Sequence, residues 1–225
     1  MKKYSNSISE RLTGRHKFSF VWCGDIKGLS ILDVGSSFGW FEKFAVEAGA
    51  KKVVGIEPEG ESFYKAQKEV PKAVFKRGTA LKIPEKDSSY DLVVMFDVIE
   101  HIPVGTEDQA LKEIYRVLKK GGSFIMSTDY DLWISKIMDP AWYFGHRHYS
   151  QQRLEKLFRK AGFRVEQVER RGGFFEIIGT ILLYIFKWIF RSEVPFKSFI
   201  NRQKDSEYLD KNDGLVTIFV RSSKQ

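Results

Sequence analysis

Short apolar runs alternate along this chain with longer stretches whose apolar positions recur every three to four residues. Residues 29–34 form an apolar run between Gly28 and Gly35 and predict a buried strand. Phe41, Phe44, Ala45 and Ala48 follow at helical spacing, with Gly49 placed to stop the helix. Residues 52–56 and 73–77 read as further strands, separated by a helix over 61–69 that ends before Pro71. The strongest strand is 91–96, apolar through its centre, as expected of a strand covered on both faces. A helix over 106–120 carries Ala110, Leu111, Ile114, Val117 and Leu118 on one stripe. Gly121 and Gly122 are expected to end it, with Lys119 and Lys120 at the negative end of its dipole. A fifth strand follows at 123–127. Ser150 is placed to cap a helix bearing Leu154, Leu157, Phe158 and Ala161, closed by Gly162, and strands at 163–168 and 215–220 complete the pattern.

Strands alternating with helices predict an α/β fold, a doubly wound and mostly parallel seven-stranded sheet of Rossmann-like type. The chain reads as one domain over 1–225. Within it, 1–28 forms a segment expected to cover a cofactor, and 172–213 an apolar and basic insertion between the last two strands. Ligands of such sheets bind at the carboxyl ends of the strands, near the switch in strand order.

The loop after the first strand, Asp33-Val34-Gly35-Ser36-Ser37-Phe38-Gly39, has glycines where a tight turn and close helix packing are needed. Alone it fits nucleotide-binding loops and plain strand-helix turns alike. Glu57, at the end of the second strand, adds a carboxylate able to accept two hydrogen bonds from ribose hydroxyls. Asp97, Glu100 and His101 are spaced to share one face if the chain turns helical after the 91–96 strand, and His101 is then a candidate general base. Trp142, Tyr143, His146, Arg147 and His148 follow the fifth strand and suit an acceptor pocket, with rings for a wall and basic groups for a hydroxyl or an anion.

Five segments in this order resemble the class I S-adenosylmethionine-dependent methyltransferase family, especially its small-molecule branch that includes quinone and lipid methyltransferases. They are Ile31 to Gly35, Gly55 to Pro58, Gly78 to Pro84, Tyr90 to Ile102, and Leu111 to Gly122. The resemblance implies S-adenosyl-L-methionine as cofactor. Gly35, Ser36 and Gly39 would then line its methionine and ribose portion, Glu57 its ribose hydroxyls, and Pro58 the adenine. Thr79, Ala80 and Leu81 would follow the adenine edge, and Phe96 and Asp97 would face the sulfonium. This chain has Ser37 at the middle glycine of the usual loop, and Thr79 where an acidic residue is common. The implied reaction is methyl transfer to a small-molecule or lipid-linked acceptor, a hydroxyl in the first instance, with His101 and Asp97 as the catalytic pair. Quinone methyltransferases resembling this chain hold a divalent metal on a similar acidic-x-x-Glu-His arrangement; no metal ligand is assigned here.

Composition narrows the setting. The net charge is +8, yet Lys187, Arg191, Lys197, Arg202 and Lys204 flank or follow an apolar run at 174–190, which argues against nucleic acid as the partner. That run includes Glu176 and Lys187 and is shorter than the roughly 20 apolar residues a membrane span takes. It reads as a peripheral membrane contact, a lid over an apolar substrate, or a contact between copies of the chain. Cys23 is the only cysteine and residues 1–11 are polar, so a cytoplasmic protein is expected, peripheral at the membrane if the run is an anchor. A nucleic-acid methyltransferase, a nucleotide-dependent oxidoreductase and an inactive methyltransferase-like binding protein are the alternatives. The oxidoreductase shares only the glycine loop and Glu57. Enzymes that methylate base amino groups carry an Asn/Asp-Pro-Pro-Tyr-type sequence that is absent after Phe96.

Overall fold

Strands β1 (Ser30–Val34), β2 (Lys52–Glu57), β3 (Val74–Arg77), β4 (Tyr90–Phe96), β5 (Leu118–Asp129), β6 (Phe163–Arg171) and β7 (Thr217–Lys224) form one sheet in the order β3-β2-β1-β4-β5-β7-β6. The computed structural model describes residues 12–58, 60–209 and 213–225. The first five strands pair in parallel, and β7 runs antiparallel between β5 and β6. Strand order reverses between β1 and β4, which opens a crevice at their carboxyl ends.

The apolar stripes predicted from spacing bury against the two faces of this sheet. On one face lie α4 (Glu107–Val117) and α6 (Gln151–Lys160), presenting Ala110, Leu111, Ile114, Val117, Leu154 and Phe158 to Leu32, Val93, Met95 and Phe124. On the other lie α1 (Gly14–Cys23), α2 (Trp40–Glu47) and α3 (Glu61–Glu69), whose Phe18, Trp22, Phe41, Ala45 and Phe63 meet Ile31, Val94 and Phe219. The Ser150 hydroxyl accepts the Arg153 N–H and caps α6.

Several boundaries differ from the sequence pattern, among them the ends of β5 and β6, which run to Asp129 and Arg171. The helix expected to run to Lys120 stops at Val117, because Leu118 is already extended and pairs with Tyr90 at the start of β5. Lys119 therefore serves an ion pair with Asp91 (2.7 Å) and not a helix terminus. Gly121, at φ +75°, lies where the β4–β5 register shifts. The last strand starts at Thr217 and continues to Lys224, because it is paired along its length on both sides.

The 172–213 region folds as α7 (Phe174–Ile185), a π-helical extension (Phe186–Phe190) and α8 (Lys197–Leu209). The Glu207 carboxylate on α8 accepts the N–H groups of Gly173, Phe175 and Glu176 at 2.7–3.0 Å, which caps α7 from a distant point in the chain. Lys204 pairs with Glu176 at 3.0 Å. α8 lies on α1 where Gly14 leaves room: a Cβ there would sit 2.7 Å from the Lys204 carbonyl oxygen. Tyr208 is fully buried and shares a hydrogen bond with the Thr217 hydroxyl at 2.8 Å. Tyr208→Ala should therefore lower unfolding free energy by about 3–5 kcal/mol in urea titration, the usual cost of deleting a buried ring. A loss below about 1 kcal/mol would mean that α8 is held elsewhere.

Candidate functional site

The loop between β1 and α2 turns on three left-handed residues, Gly35 (φ +91°), Ser37 (φ +45°) and Gly39 (φ +82°). Gly35 is required twice over, since a Cβ there would also lie 2.3 Å from Val98 Cγ2. Ser37 holds the same handedness with a side chain, at a cost of about 1–2 kcal/mol. Its N–H is fixed by Glu57, whose Oε2 accepts it at 3.0 Å. Glu57 is half-buried, and burial raises its pKa against the opposing hydrogen bond from Ser37. Among the described residues it has no ion-pair partner. Ser36 is fully buried beside Gly55, where a Cβ would sit 2.7 Å from the Ser36 Cβ, and its hydroxyl has no partner among the described residues. Pro58 and Thr79 are exposed at the neighbouring strand ends, Ala80 is buried in the core, and the Leu81 carbonyl accepts Gln109 Nε2 at 3.0 Å.

Beneath the loop two carboxyl groups, Asp33 and Glu42, are buried side by side. Burial raises both, reinforced at Asp33 by the Glu57 charge and at Glu42 by the Asp33 charge, and takes Asp33 to about 8.

At the ends of β4 and β5 the chain places Asp97 and Asp129. Arg15, from α1, reaches Asp97 Oδ2 at 3.0 Å and Asp129 Oδ1 at 3.5 Å, and its Nε donates to the Tyr208 hydroxyl at 3.2 Å. Ser127 Oγ donates to Asp97 Oδ1 at 2.8 Å. Burial opposes ionisation of Asp97, but Arg15 and Ser127 outweigh it and hold the carboxyl below its usual range. For Asp129 burial wins over Arg15 and the shift is upward. Phe96, just before Asp97, packs its ring against Trp40 and Phe41 at 5.6 and 5.5 Å between centroids.

After Asp97 the chain makes a turn, with the His101 N–H donating to the Val98 carbonyl, and no helix forms. The shared helical face expected for Asp97, Glu100 and His101 is thus replaced by divergence: Glu100 is 3% exposed and points inward, while His101 lies at the rim. Glu100 Oε2 accepts from Thr128 Oγ1 at 2.8 Å, and Oε1 has no partner among the described residues. Burial, with Asp97 and Asp129 nearby, raises the Glu100 pKa. Burial and His146 lower that of His101.

His101 borders a cavity of about 320 Å³ that also takes in Arg15, Asp129, Asp139, His146 and His148, with Ile177, Thr180 and Tyr184 of α7 on one wall. A larger open groove of about 670 Å³ runs along α6 and β6, away from these groups. Asp139 binds both imidazoles, His146 Nδ1 at 3.0 Å and His148 Nε2 at 3.1 Å, and Asp129 Oδ2 lies 3.2 Å from His146 Nδ1. Of the five residues proposed from sequence to meet an acceptor, His146 and His148 line this cavity. Arg147 instead clamps the turn, donating to the carbonyls of Ile99, Glu100 and Ile102 and pairing with Glu107 at 2.8 Å. Trp142 and Tyr143 meet edge to face, 5.1 Å between centroids, and are exposed.

Sequence spacing missed Asp129 and Asp139, while the α7 wall falls in the 174–190 run, for which a lid over the substrate was one of the three readings. Asp129 carried a readable signal, since it ends an apolar strand just as Asp97 does. Arg15 lies in the 1–28 segment expected to cover a cofactor, but no local spacing marks it out.

Residues 32–126 match the family described as a methyltransferase domain. The chain is 30% identical over 140 residues to a probable S-adenosylmethionine-dependent methyltransferase of Mycolicibacterium smegmatis, covering 62% of this chain and 53% of that protein. It spans about half the length of the curated relatives it matches. Among solved structures it is similar to an S-adenosylmethionine-dependent methyltransferase of Thermotoga maritima described as a possible histamine N-methyltransferase, with TM-score 0.65, 26% identity and coverage of 96% and 91%. A Mesorhizobium loti S-adenosylmethionine-dependent methyltransferase shares the fold, with TM-score 0.67, 17% identity and coverage of 93% and 98%.

The Asp33–Glu42 pair gives a pH signature. A carboxyl whose folded pKa lies above its unfolded value binds more protons when folded, so its stability contribution falls as pH rises from about 4 toward the folded pKa. Glu42→Gln removes one of the two, and between pH 5 and pH 8 the variant should gain on the parent by on the order of 2 kcal/mol. Urea titrations at pH 5, 6.5 and 8 read this directly; parallel curves for the two proteins would contradict it.

Proposed function

We propose that this chain, which belongs to the class I S-adenosylmethionine-dependent methyltransferase family, transfers a methyl group to a hydroxyl on a small-molecule or lipid-linked acceptor. The observation that carries the reading is the juxtaposition of the Gly35–Gly39 loop on β1 with the polar cavity at the ends of the adjacent β4 and β5. The loop suits S-adenosyl-L-methionine. Its left-handed backbone leaves no side chain at Gly35 and Gly39, and the half-buried Glu57 carboxylate has no cation of its own among the described residues. A carboxylate in that position suits ribose hydroxyls. When bound, the cofactor supplies a methyl group on a positively charged sulfur.

In this reading the chain's own groups position and deprotonate. Asp97, already committed to Arg15 and Ser127, fixes the floor between the two sites and is a positioning residue. His101, at the cavity rim with its ring 4.7 Å from His146, is the group placed to take the acceptor proton. α7 excludes water from the cavity through Ile177 and Tyr184.

A lipid-linked acceptor is favoured by the outer surface of the 172–213 region. Phe174, Leu183, Trp188, Ile189, Phe190, Phe196 and Phe199 are all more than half exposed there, beside Arg191 and Lys197. Exposed rings and aliphatic groups next to cations suit the interface of an anionic bilayer. No helix among the described residues is long and apolar enough to cross a membrane.

Glu57→Ala should weaken S-adenosylmethionine binding about 10- to 100-fold by calorimetric titration, the loss expected for hydrogen bonds to a charged group. In parallel, labelled methyl should pass to one or more members of a panel of quinols, lipid precursors and sugars. Unchanged affinity in the variant would remove the ribose assignment, and no transfer to any hydroxyl acceptor would remove the proposed reaction.

Trp188→Ser, Ile189→Ser and Phe190→Ser combined should abolish cosedimentation with anionic liposomes while the protein still binds the cofactor. Cosedimentation that persists would reject the membrane contact.

A further inference from the structure

We propose that Asp129, Asp139, His146 and His148 bind one divalent transition-metal ion in the wall of the acceptor cavity. One ligand atom from each of the four lies within 4.8 Å of all the others. The individual separations, 3.0, 3.1 and 3.2 Å, are close to the roughly 3.0–3.4 Å between neighbouring ligands around an ion bound at about 2.1 Å. An ion would thus replace the direct imidazole–carboxylate contacts with only small side-chain movements.

The outer contacts hold the ligands in place. His148 Nδ1 faces the Tyr130 carbonyl at 3.1 Å, which assigns its proton to that nitrogen and turns Nε2 inward. Asp139 Oδ1 is fixed by the Ala141 N–H at 2.9 Å, leaving Oδ2 for the site. Arg15 approaches Asp129 through Oδ1, and Oδ2 faces His146.

A separate observation points into the same space. Glu100 is 3% exposed, its Oε1 has no partner among the described residues, and its carboxylate lies within 4.8 Å of ring nitrogens of His101 and His146. Asp97, Glu100, Asp129 and Asp139 thus converge where Arg15 is the one arginine or lysine bordering the cavity among the described residues. A buried excess of carboxylates calls for a second cation. Two imidazoles with two carboxylates favour zinc, manganese or ferrous iron over magnesium or calcium. If the acceptor reading holds, the ion would polarise the acceptor hydroxyl and ease loss of its proton.

The test needs no turnover, so its outcome is separate from that of methyl transfer. The full chain, stripped with chelator, is titrated calorimetrically with zinc, manganese and magnesium, and its metal content is read by mass spectrometry. One zinc or manganese ion per chain is expected, with magnesium binding far more weakly. Asp139→Asn, which keeps the hydrogen bond to Ala141, and His146→Gln should each weaken uptake at least about 10-fold while S-adenosylmethionine titrations stay unchanged. Absence of stoichiometric uptake, or uptake unaffected in both variants, would overturn the proposal. So would uptake lost only in a Glu100→Gln, His101→Asn double variant, which would move the ion to the other carboxylate and imidazole.

Discussion

The Arg15 bridge between Asp97 and Asp129 is the contact around which the rest of this molecule is arranged. Parallel strands must end somewhere, and β4 and β5 end on carboxylates within a few ångströms of each other, with Glu100 behind them. Such a cluster is unstable away from water unless cations reach it. Arg15 supplies one from α1, which ties the N-terminal helix to the strand ends. Its Nε meets the Tyr208 hydroxyl, and Tyr208 in turn meets Thr217 on β7. One guanidinium therefore joins α1, α8 and three strands.

That linkage explains why the region between β6 and β7 is docked and not a loose excursion. Glu207 follows from the same constraint: α8 is held by Tyr208, so the preceding carboxylate is in position to satisfy the first N–H groups of α7. With its N-terminus pinned, α7 places Ile177, Thr180 and Tyr184 along one wall of the cavity that holds Asp129 and Asp139. Charge compensation at the strand ends and formation of the cavity wall are two results of one arrangement.

The parts legible in the sequence were those set by local periodicity. Helical stripes such as Ala110, Leu111 and Ile114, and the buried run through β4, report burial that the pattern of side chains encodes directly. The glycine loop and Glu57 were legible because a left-handed turn and a strand-end acid have short-range signatures. What the sequence hid was long-range. Nothing local marks out Arg15, or shows that Glu207 caps a helix starting at Phe174, because both contacts exist only after the sheet has assembled. The condition on which Asp97, Glu100 and His101 would share a helical face is not met for a related reason: Asp97 takes a left-handed conformation (φ +54°), held by Arg15 and Ser127, and that turns the chain before a helix can start. Arg147 was legible as a functional cation by type but is engaged by three carbonyls, a use that residue identity alone does not reveal.

The 172–213 region also ties the two faces of the proposed chemistry to one element. The side of α7 that carries Ile177, Thr180 and Tyr184 borders the cavity, while Phe174 and Leu183 of the same helix face outward. The outward side continues into the exposed Trp188, Ile189 and Phe190. A helix with apolar groups on both sides needs a surface to cover its outer side, which would otherwise cost solubility. It has one if the acceptor's polar head must enter a charged cavity while its apolar remainder stays in a bilayer. The polar end would then meet His101, His146 and the strand-end carboxylates. The helix would serve as the partition between them and the hydrocarbon.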